Sequence, residues 1–235
     1  VNEHCLMAQK LTFDNGAHYQ DERRADKVQL AAYEFIFWVL GNFRSVQDLI
    51  DHLDEVELMS ETNSDTKHGN PELHFALADR TGRIVVIEPS QTPLKVIDNP
   101  LGVVTNSPDF ERQLAQMERY VEFTPEFKNG RVPLNTPRVT TGRLSGKTNP
   151  PGYYSPSARF VRAAYLKERS DVPADEATGL ISEWHLLDSV TVPQNRRHQK
   201  TYSVYRAVTV AESRSYYFQS YHRGDITKLQ LTDDM

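Results

Sequence analysis

The chain has 235 residues, a formal net charge of −5 and a sequence pI near 5.9. This length suffices for one sizeable domain, predicted to span residues 1–235, and the acidic balance with scattered Lys and Arg argues against nucleic-acid binding. A single cysteine excludes an internal disulfide and fits a reducing cytoplasm, and no apolar run reaches the roughly 18 to 20 residues that a membrane span needs.

The first half of the chain is predicted to alternate between strands and helices. The hydrophobic pattern predicts a helix at 28–40 that is apolar nearly all round and ends at Gly41, and Ser45 is a typical N-cap for the helix that follows. The strands of this half, two of which form a hairpin with a glycine in its turn, are predicted at 6–13, 73–78, 84–88, 94–97 and 101–105.

The second half is predicted to contain three helices followed by three strands. Ser107 is the expected N-cap of the first helix, at 109–121, with Pro108 in its first turn, and a Pro- and Gly-rich loop follows at 123–154. The remaining helices and strands are predicted at 156–169, 175–189, 202–210, 215–221 and 226–231. The last helix has an apolar stripe of Leu180, Ile181, Trp184 and Leu187. Strands at the start, middle and end, with helices between them, predict the α+β class.

Two polar residues stand where predicted helices begin. Asn106 lies between an apolar run and the helix at 109–121, where its amide can reach a ligand, although Asn is also a common turn residue. Arg159 lies in the first turn of its helix, where the helix dipole disfavours a cation by about 0.3–1 kcal/mol. Either a structural carboxylate or a bound anionic group is therefore expected to compensate its charge.

The histidines do not form a metal-binding pattern. His68 and His74 are six residues apart, a spacing that fits no metal-binding pattern, and His185 has no second ligand one helical turn away. The sequence also lacks a phosphate-binding Gly-rich loop and a Gly-x-Ser-x-Gly elbow. We therefore expect no metal and no cofactor, and neither phosphoryl transfer nor serine-hydrolase chemistry.

Seven short segments, in this order, resemble the choloylglycine hydrolases, the family of conjugated bile salt hydrolases and penicillin V acylases. They are NEHCLM at 2–7, WVLGNF at 38–43, LHF at 73–75, IEP at 87–89, TNSP at 105–108, SARF at 157–160 and YYF at 216–218. The resemblance implies an N-terminal-nucleophile hydrolase with a four-layer αββα sandwich. It further implies a bacterial, usually homotetrameric enzyme that cleaves linear amide bonds in small N-acyl substrates.

The resemblance also assigns roles to individual residues. Asn106 matches an asparagine whose side-chain amide stabilises the oxyanion, and Arg159 matches the active-site arginine that holds the charge and geometry of the nucleophile. Thr12 aligns with a site position that is Tyr in penicillin acylases and Asn in bile salt hydrolases. The loop at 138–154 diverges from relatives. Either its added positive charges, Arg143 and Lys147, alter which anionic substrates approach, or the loop has diverged without selection.

Cys5 is not the nucleophile that the resemblance implies. It stands where the family has glycine, inside a tag downstream of the catalytic cysteine, and it has no free α-amino group to act as base. We therefore expect that no nucleophile lies in this chain, that the sandwich is incomplete at its N-terminus, and that the chain is inactive alone. The alternative is a non-catalytic remnant, a ligand-binding or oligomerising protein of the same fold.

Overall fold

The computed structural model describes residues 1–60, 69–120, 150–197 and 201–232, together with the backbone of two short strands at 122–123 and 139–140. The helices are α1 (Phe35–Asn42), α2 (Val46–Ile50), α3 (Phe110–Met117), α4 (Pro156–Lys167) and α5 (Glu176–Val190), with a 3-10 turn at Leu53–Glu55. The strands are β1 (Met7–Thr12), β2 (Val28–Ala31), β3 (Val56–Met59), β4 (Leu73–Ala78), β5 (Ile84–Glu88), β6 (Lys95–Asp98), β7 (Glu122–Phe123), β8 (Val139–Thr140), β9 (Tyr205–Val210), β10 (Ser215–Ser220) and β11 (Thr227–Gln230).

An antiparallel sheet in the order β1-β4-β5-β6 forms the centre of the first half. The chain ends in a second antiparallel sheet in the order β11-β10-β9, and two pairs, β2 with β3 in parallel and β7 with β8, complete the pairing. Mixed helices and largely antiparallel sheets make this an α+β fold, as predicted. None of the helices in the part that the structure describes is long and apolar enough to cross a membrane.

The two central strands of the four-stranded sheet, β4 and β5, are buried on both faces. Side chains alternate along β5, so Val85 joins a hydrophobic cluster with α1 and α2, whereas its neighbour Val86 joins a second cluster with α3 and α4. Phe35 of α1 lies in the first cluster, and the rings of Phe110 and Phe160 meet edge to face in the second, with centroids 6.1 Å apart. Helices therefore cover both sides of this sheet.

The predicted helix at 28–40 is wrong over its first part. Val28–Ala31 pairs in parallel with Val56–Met59, and the helix begins only at Phe35. Gly41 lies inside the helix, which ends at Asn42, rather than closing it. The cause is that the strand is only four residues long and stands directly before an apolar helix, and periodicity cannot separate so short an apolar strand from the helix that follows it.

The prediction of a strand at 101–105 is also wrong. The segment begins in a turn and pairs with no other strand among the described residues, and the Asn99 side chain stabilises it instead. Asn99 Nδ2 donates to Val103 O at 3.1 Å, and Gly102 N donates to Asn99 Oδ1 at 2.8 Å. An Asx turn therefore supplies the bonds that a strand partner would have supplied.

The helix after this segment is capped by a different residue from the one predicted. Asp109, not Ser107, is the N-cap of α3, and its side chain accepts from Arg112 N at 3.0 Å. Ser107 Oγ instead donates to Asp14 O at 2.9 Å, which joins this turn to the loop after β1. Ser45, by contrast, caps α2 as predicted, accepting from Asp48 N at 3.1 Å.

The C-terminal elements form as predicted, but α5 presents a different face to the core. Leu186 and Val190 pack against the second cluster, whereas Ile181, from the predicted stripe, is 58% exposed. Trp184 donates its indole N–H to Gln219 Oε1 of β10 at 3.0 Å. The helix therefore packs on the second cluster through apolar side chains and contacts the last sheet through a polar one.

Gly16 closes the loop after β1 against an aromatic ring. A Cβ at Gly16 would lie 2.4 Å from Cε1 of Phe13, a ring that is 2% exposed. We expect Gly16→Ala to lower the free energy of unfolding by about 1–3 kcal/mol because the buried ring must move. Urea denaturation would measure it, with Gly41→Ala as control. That Cβ meets no atom within 4 Å, so the control is expected to hold stability or raise it by up to about 1 kcal/mol.

If the two glycine variants lose equal stability, the close approach at Gly16 does not constrain the loop. A loss confined to Gly16→Ala supports the packing of Phe13 in its present position beside the candidate site described next.

Candidate active site

The fold brings Asn106 and Arg159 together, although 52 residues lie between them in the chain. Arg159 extends from the N-terminal part of α4, which begins with Ser155 as N-cap and Pro156 in its first turn. Arg159 Nη2 donates to Asn106 Oδ1 at 2.7 Å. The two residues that the resemblance singled out therefore form one hydrogen-bonded pair.

This pair fixes the orientation of the Asn106 amide. A guanidinium can only donate, so the oxygen of the amide faces Arg159. On its other side Asn106 Nδ2 donates to Thr12 O at 3.1 Å, and a main-chain carbonyl can only accept. An amide nitrogen carries two hydrogens, and the second meets no acceptor among the residues that the structure describes. That N–H is available to a ligand oxygen.

Thr12 contributes to this arrangement through its backbone. It is the last residue of β1, it is exposed, and its carbonyl holds the Asn106 amide. The family resemblance concerns only the Thr12 side chain, because the residue type is what differs at this position. A backbone contact of this kind leaves no mark in the residue type, so the sequence could not reveal it.

The charge of Arg159 is only partly compensated. Burial lowers the pKa of its guanidinium from the ordinary value, and the nearby charge of Arg162 acts in the same direction. Within the described ranges no carboxylate lies within 4 Å of it, and its Nε donates to Tyr154 O at 3.1 Å. A half-buried cation that is bonded only to neutral oxygens favours an anionic group beside it.

A second set of hydrogen bonds holds the backbone around Asn106. Thr105 Oγ1 donates to Pro156 O at 3.1 Å, which ties the segment to the start of α4. Gln113 is 2% exposed, and its Nε2 donates to Asn106 O at 3.4 Å. Gln113 was not among the residues predicted for the site. It lies three residues after Phe110 and four before Met117 on the buried face of α3, so a polar residue at an apolar spacing was the available signal.

A groove of about 830 Å³ opens beside this turn. It lies between the loop after β1 and the start of α3, and its lining includes Phe13, Asp14, Gly16, Ser107 and Pro108. A volume of this size accommodates a small organic ligand. The groove reaches the same turn, Ser107–Pro108, that follows Asn106 directly.

Cys5 lies in a tight turn before β1. Its backbone has a positive φ of 65°, and its amide N donates to Asn2 O at 3.1 Å. Its thiol donates to Ala211 O at 3.4 Å, between β9 and β10. These contacts are those of a structural cysteine in a turn, and its exclusion as nucleophile stays a prediction.

The remaining predicted features add no further site. Across residues 1–60, 69–120, 150–197 and 201–232, no group of three His, Cys, Asp or Glu side chains is placed to hold a metal ion. His68, Arg143 and Lys147 lie outside the described residues, as does most of the loop at 138–154. His74, however, is buried, and its Nε2 lies 2.7 Å from the carbonyl oxygen of Thr105, the residue before Asn106.

Comparison with known proteins decides the family. A family model described as linear amide C-N hydrolases, choloylglycine hydrolase family, matches residues 1–235. The chain belongs to this family. The resemblance to the choloylglycine hydrolases is therefore confirmed, and the chain is related to enzymes that hydrolyse linear amides.

Bile salt hydrolases are among the relatives of this choloylglycine hydrolase family member. The bile salt hydrolase/transferase of Clostridium perfringens is 28% identical over 242 residues, which cover 100% of this chain and 72% of that protein. The conjugated bile acid hydrolase of Lactobacillus gasseri is 30% identical over 237 residues, which cover 99% of this chain and 75% of that protein.

Solved structures of the family share the fold. A variant of the conjugated bile acid hydrolase from Clostridium perfringens gives a TM-score of 0.75 at 27% identity and covers 97% of this chain and 70% of that one. The penicillin V acylase from Agrobacterium tumefaciens gives a TM-score of 0.71 at 20% identity, which shows the fold alone; the match covers 98% of this chain and 65% of that one. The predicted N-terminal-nucleophile hydrolase fold is confirmed.

Proposed function

We propose that this chain supplies the oxyanion-binding and charge-stabilising side of an amidase site that cleaves small N-acyl amides, with conjugated bile salts as the first candidates. The bond of 2.7 Å from Arg159 Nη2 to Asn106 Oδ1 carries the proposal. It turns the Asn106 amide nitrogen toward Thr12 O and leaves one N–H for a substrate oxygen. The bile salt hydrolases among the relatives support this substrate class.

The chemistry follows from a cysteine nucleophile that is not Cys5. Its sulfur bonds to the amide carbonyl carbon, its proton passes to a free α-amino group, and the carbonyl oxygen becomes an oxyanion that accepts from Asn106 Nδ2. The C–N bond then breaks, and the leaving nitrogen takes that proton. Water adds to the thioester, which releases the carboxylic acid and restores the thiol.

Arg159 has two tasks in this proposal. It holds the Asn106 amide in the orientation that donates, and its positive charge stabilises the thiolate and the oxyanion as they form. Since Thr12 matches neither the bile salt hydrolases nor the penicillin acylases in residue type, substrate choice is the part that needs measurement. A homotetramer, the assembly usual in the family, is the proposed oligomeric state.

The decisive experiment starts from the protein as its native source makes it. Intact mass and N-terminal sequencing establish whether the natural polypeptide presents a cysteine with a free α-amino group. Release of glycine from glycocholate and of phenoxyacetate from penicillin V is then assayed. Hydrolysis of glycocholate supports the proposal and its substrate class, whereas hydrolysis of penicillin V alone overturns that class but not the amidase.

A native protein that binds these compounds without cleaving them would contradict the amidase proposal. It would support the alternative, a ligand-binding protein of the same fold. Light scattering after gel filtration tests the tetramer separately, because assembly and catalysis can fail independently.

A further inference from the structure

His74 lies on the inner face of β4, where its side chain is 1% exposed. Its ring stacks on the ring of Phe13, with centroids 4.6 Å apart and planes 5° from parallel. Phe13 follows Thr12 directly in the chain. His74 therefore contacts the neighbour of the residue whose carbonyl oxygen accepts from the Asn106 amide. This is the first of two contacts that connect His74 to the site.

The second contact is to the chain neighbour of Asn106, the residue that donates to Thr12 O. His74 Nε2 lies 2.7 Å from the carbonyl oxygen of Thr105, the residue before Asn106. Because a carbonyl only accepts, Nε2 must carry the hydrogen of this bond. Breaking this hydrogen bond is costly. Thr105 is only 7% exposed, so its carbonyl oxygen would be left without a partner away from water.

The other ring nitrogen faces a buried carboxylate. His74 Nδ1 lies 3.9 Å from Glu88 Oε1, too far for a hydrogen bond, and the Glu88 side chain is also 1% exposed. Glu88 Oε1 accepts from Phe110 N at 2.7 Å, at the start of α3. Glu88 Oε1 is thus bonded to the backbone of α3 and not to His74. The ring of His74 makes its one described hydrogen bond through Nε2.

We propose that His74 is a positioning residue for the oxyanion donor. Its ring holds Phe13 by stacking and Thr105 by the Nε2 hydrogen bond, and these two residues are the chain neighbours of Thr12 and Asn106. A single buried side chain therefore sets the separation of the two segments, the end of β1 and the turn at 105–106, across which Asn106 Nδ2 donates to Thr12 O. The catalytic consequence rests on the proposed function, but the positioning itself does not.

Two substitutions separate the two contacts. His74→Phe keeps a flat ring to stack on Phe13 and removes the donor to Thr105, whereas His74→Gln restores a donor at a similar reach. His185→Phe on α5, an exposed histidine, is the matched control. Thermal unfolding of each variant shows whether it folds before any other measurement is interpreted.

The test uses nuclear magnetic resonance on the full 235-residue chain labelled with ¹⁵N. The side-chain amide signals of Asn106 are assigned by their loss in Asn106→Asp. We expect Nε2 of His74 to be the protonated nitrogen in the unmodified chain. In His74→Phe, which loses the donor, the Asn106 amide signals shift and exchange faster with water. In His74→Gln, which keeps a donor but loses the stacked ring, they move less, and in His185→Phe they stay in place.

The inference falls if Nε2 of His74 carries no hydrogen, or if a folded His74→Phe leaves the Asn106 amide signals unchanged. Should His74→Phe fail to fold, the tautomer in the unmodified chain still decides it, because a neutral ring with its hydrogen on Nδ1 cannot donate to Thr105 O. In the native amidase, His74→Phe is expected to lower kcat roughly 10- to 100-fold at unchanged KM, with recovery in His74→Gln. An inactive native protein would refute the proposed function and leave the magnetic resonance test intact.

Discussion

Replacing Asn106 with alanine is expected to lower kcat for amide hydrolysis by about 100- to 1000-fold, with a small change in KM. In the proposed mechanism, the side-chain N–H that is not bonded to Thr12 donates to the substrate oxygen only as that oxygen becomes charged, so its loss raises the barrier rather than weakening substrate binding. Steady-state kinetics of the native enzyme and its variant on glycocholate measure this effect.

Asn42→Ala is the matched control for this prediction. Asn42 carries the same amide at the exposed end of α1, where it donates to Trp38 O at 2.8 Å. Its removal is expected to leave kcat within about twofold. If Asn106→Ala retains a third or more of the native kcat, Asn106 is not the oxyanion donor, and the turn-residue interpretation of this position is the right one.

Replacing Asn2 with alanine is expected to lower the free energy of unfolding by about 3 kcal/mol, because this one side chain satisfies four backbone groups. Its Nδ2 donates to Leu40 O at 3.0 Å and to Phe43 O at 2.8 Å, at the end of α1. Its Oδ1 accepts from His4 N at 3.1 Å and from Leu6 N at 3.0 Å. Asn2 is 6% exposed, so water cannot replace all four bonds.

Calorimetry should show a fall in Tm of roughly 6–12 °C for Asn2→Ala, the shift that about 3 kcal/mol gives in a chain of this size. Asn42→Ala, which removes one exposed bond, is expected to change the free energy of unfolding by about 0.5 kcal/mol or less. Equal stability of the two variants would mean that the turn at residues 2–6 is not anchored to α1 through Asn2.

Elements with a strong local signal could be predicted from the sequence. The hairpin of β4 and β5 has the predicted bounds, because apolar runs on each side of a polar turn with Gly82 leave few other arrangements. Ser45 caps α2 as predicted for the same reason: the cap and the first turn are adjacent in the chain. Local chemistry decides both cases.

Elements that depend on distant partners could not be predicted in this way. Val28–Ala31 is a strand because Val56–Met59 lies beside it, and no residue near Val28 in the sequence indicates that partner. Ser107 fails as a cap because Asp14, from the loop after β1, engages its hydroxyl. The site shows the same limit: the sequence pointed to Asn106 and Arg159 singly, but only the fold shows that they are bonded to each other.

The bonds that orient Asn106 have a consequence for folding. They join Thr12, Asn106 and Arg159, residues 94 and 53 positions apart in the chain, and closing such long loops is slow. The amide can adopt its donating orientation only after β1 and α4 have both docked. Recovery of the Asn106 amide signal should therefore be among the last events of refolding, and it would report completed assembly better than helix content does.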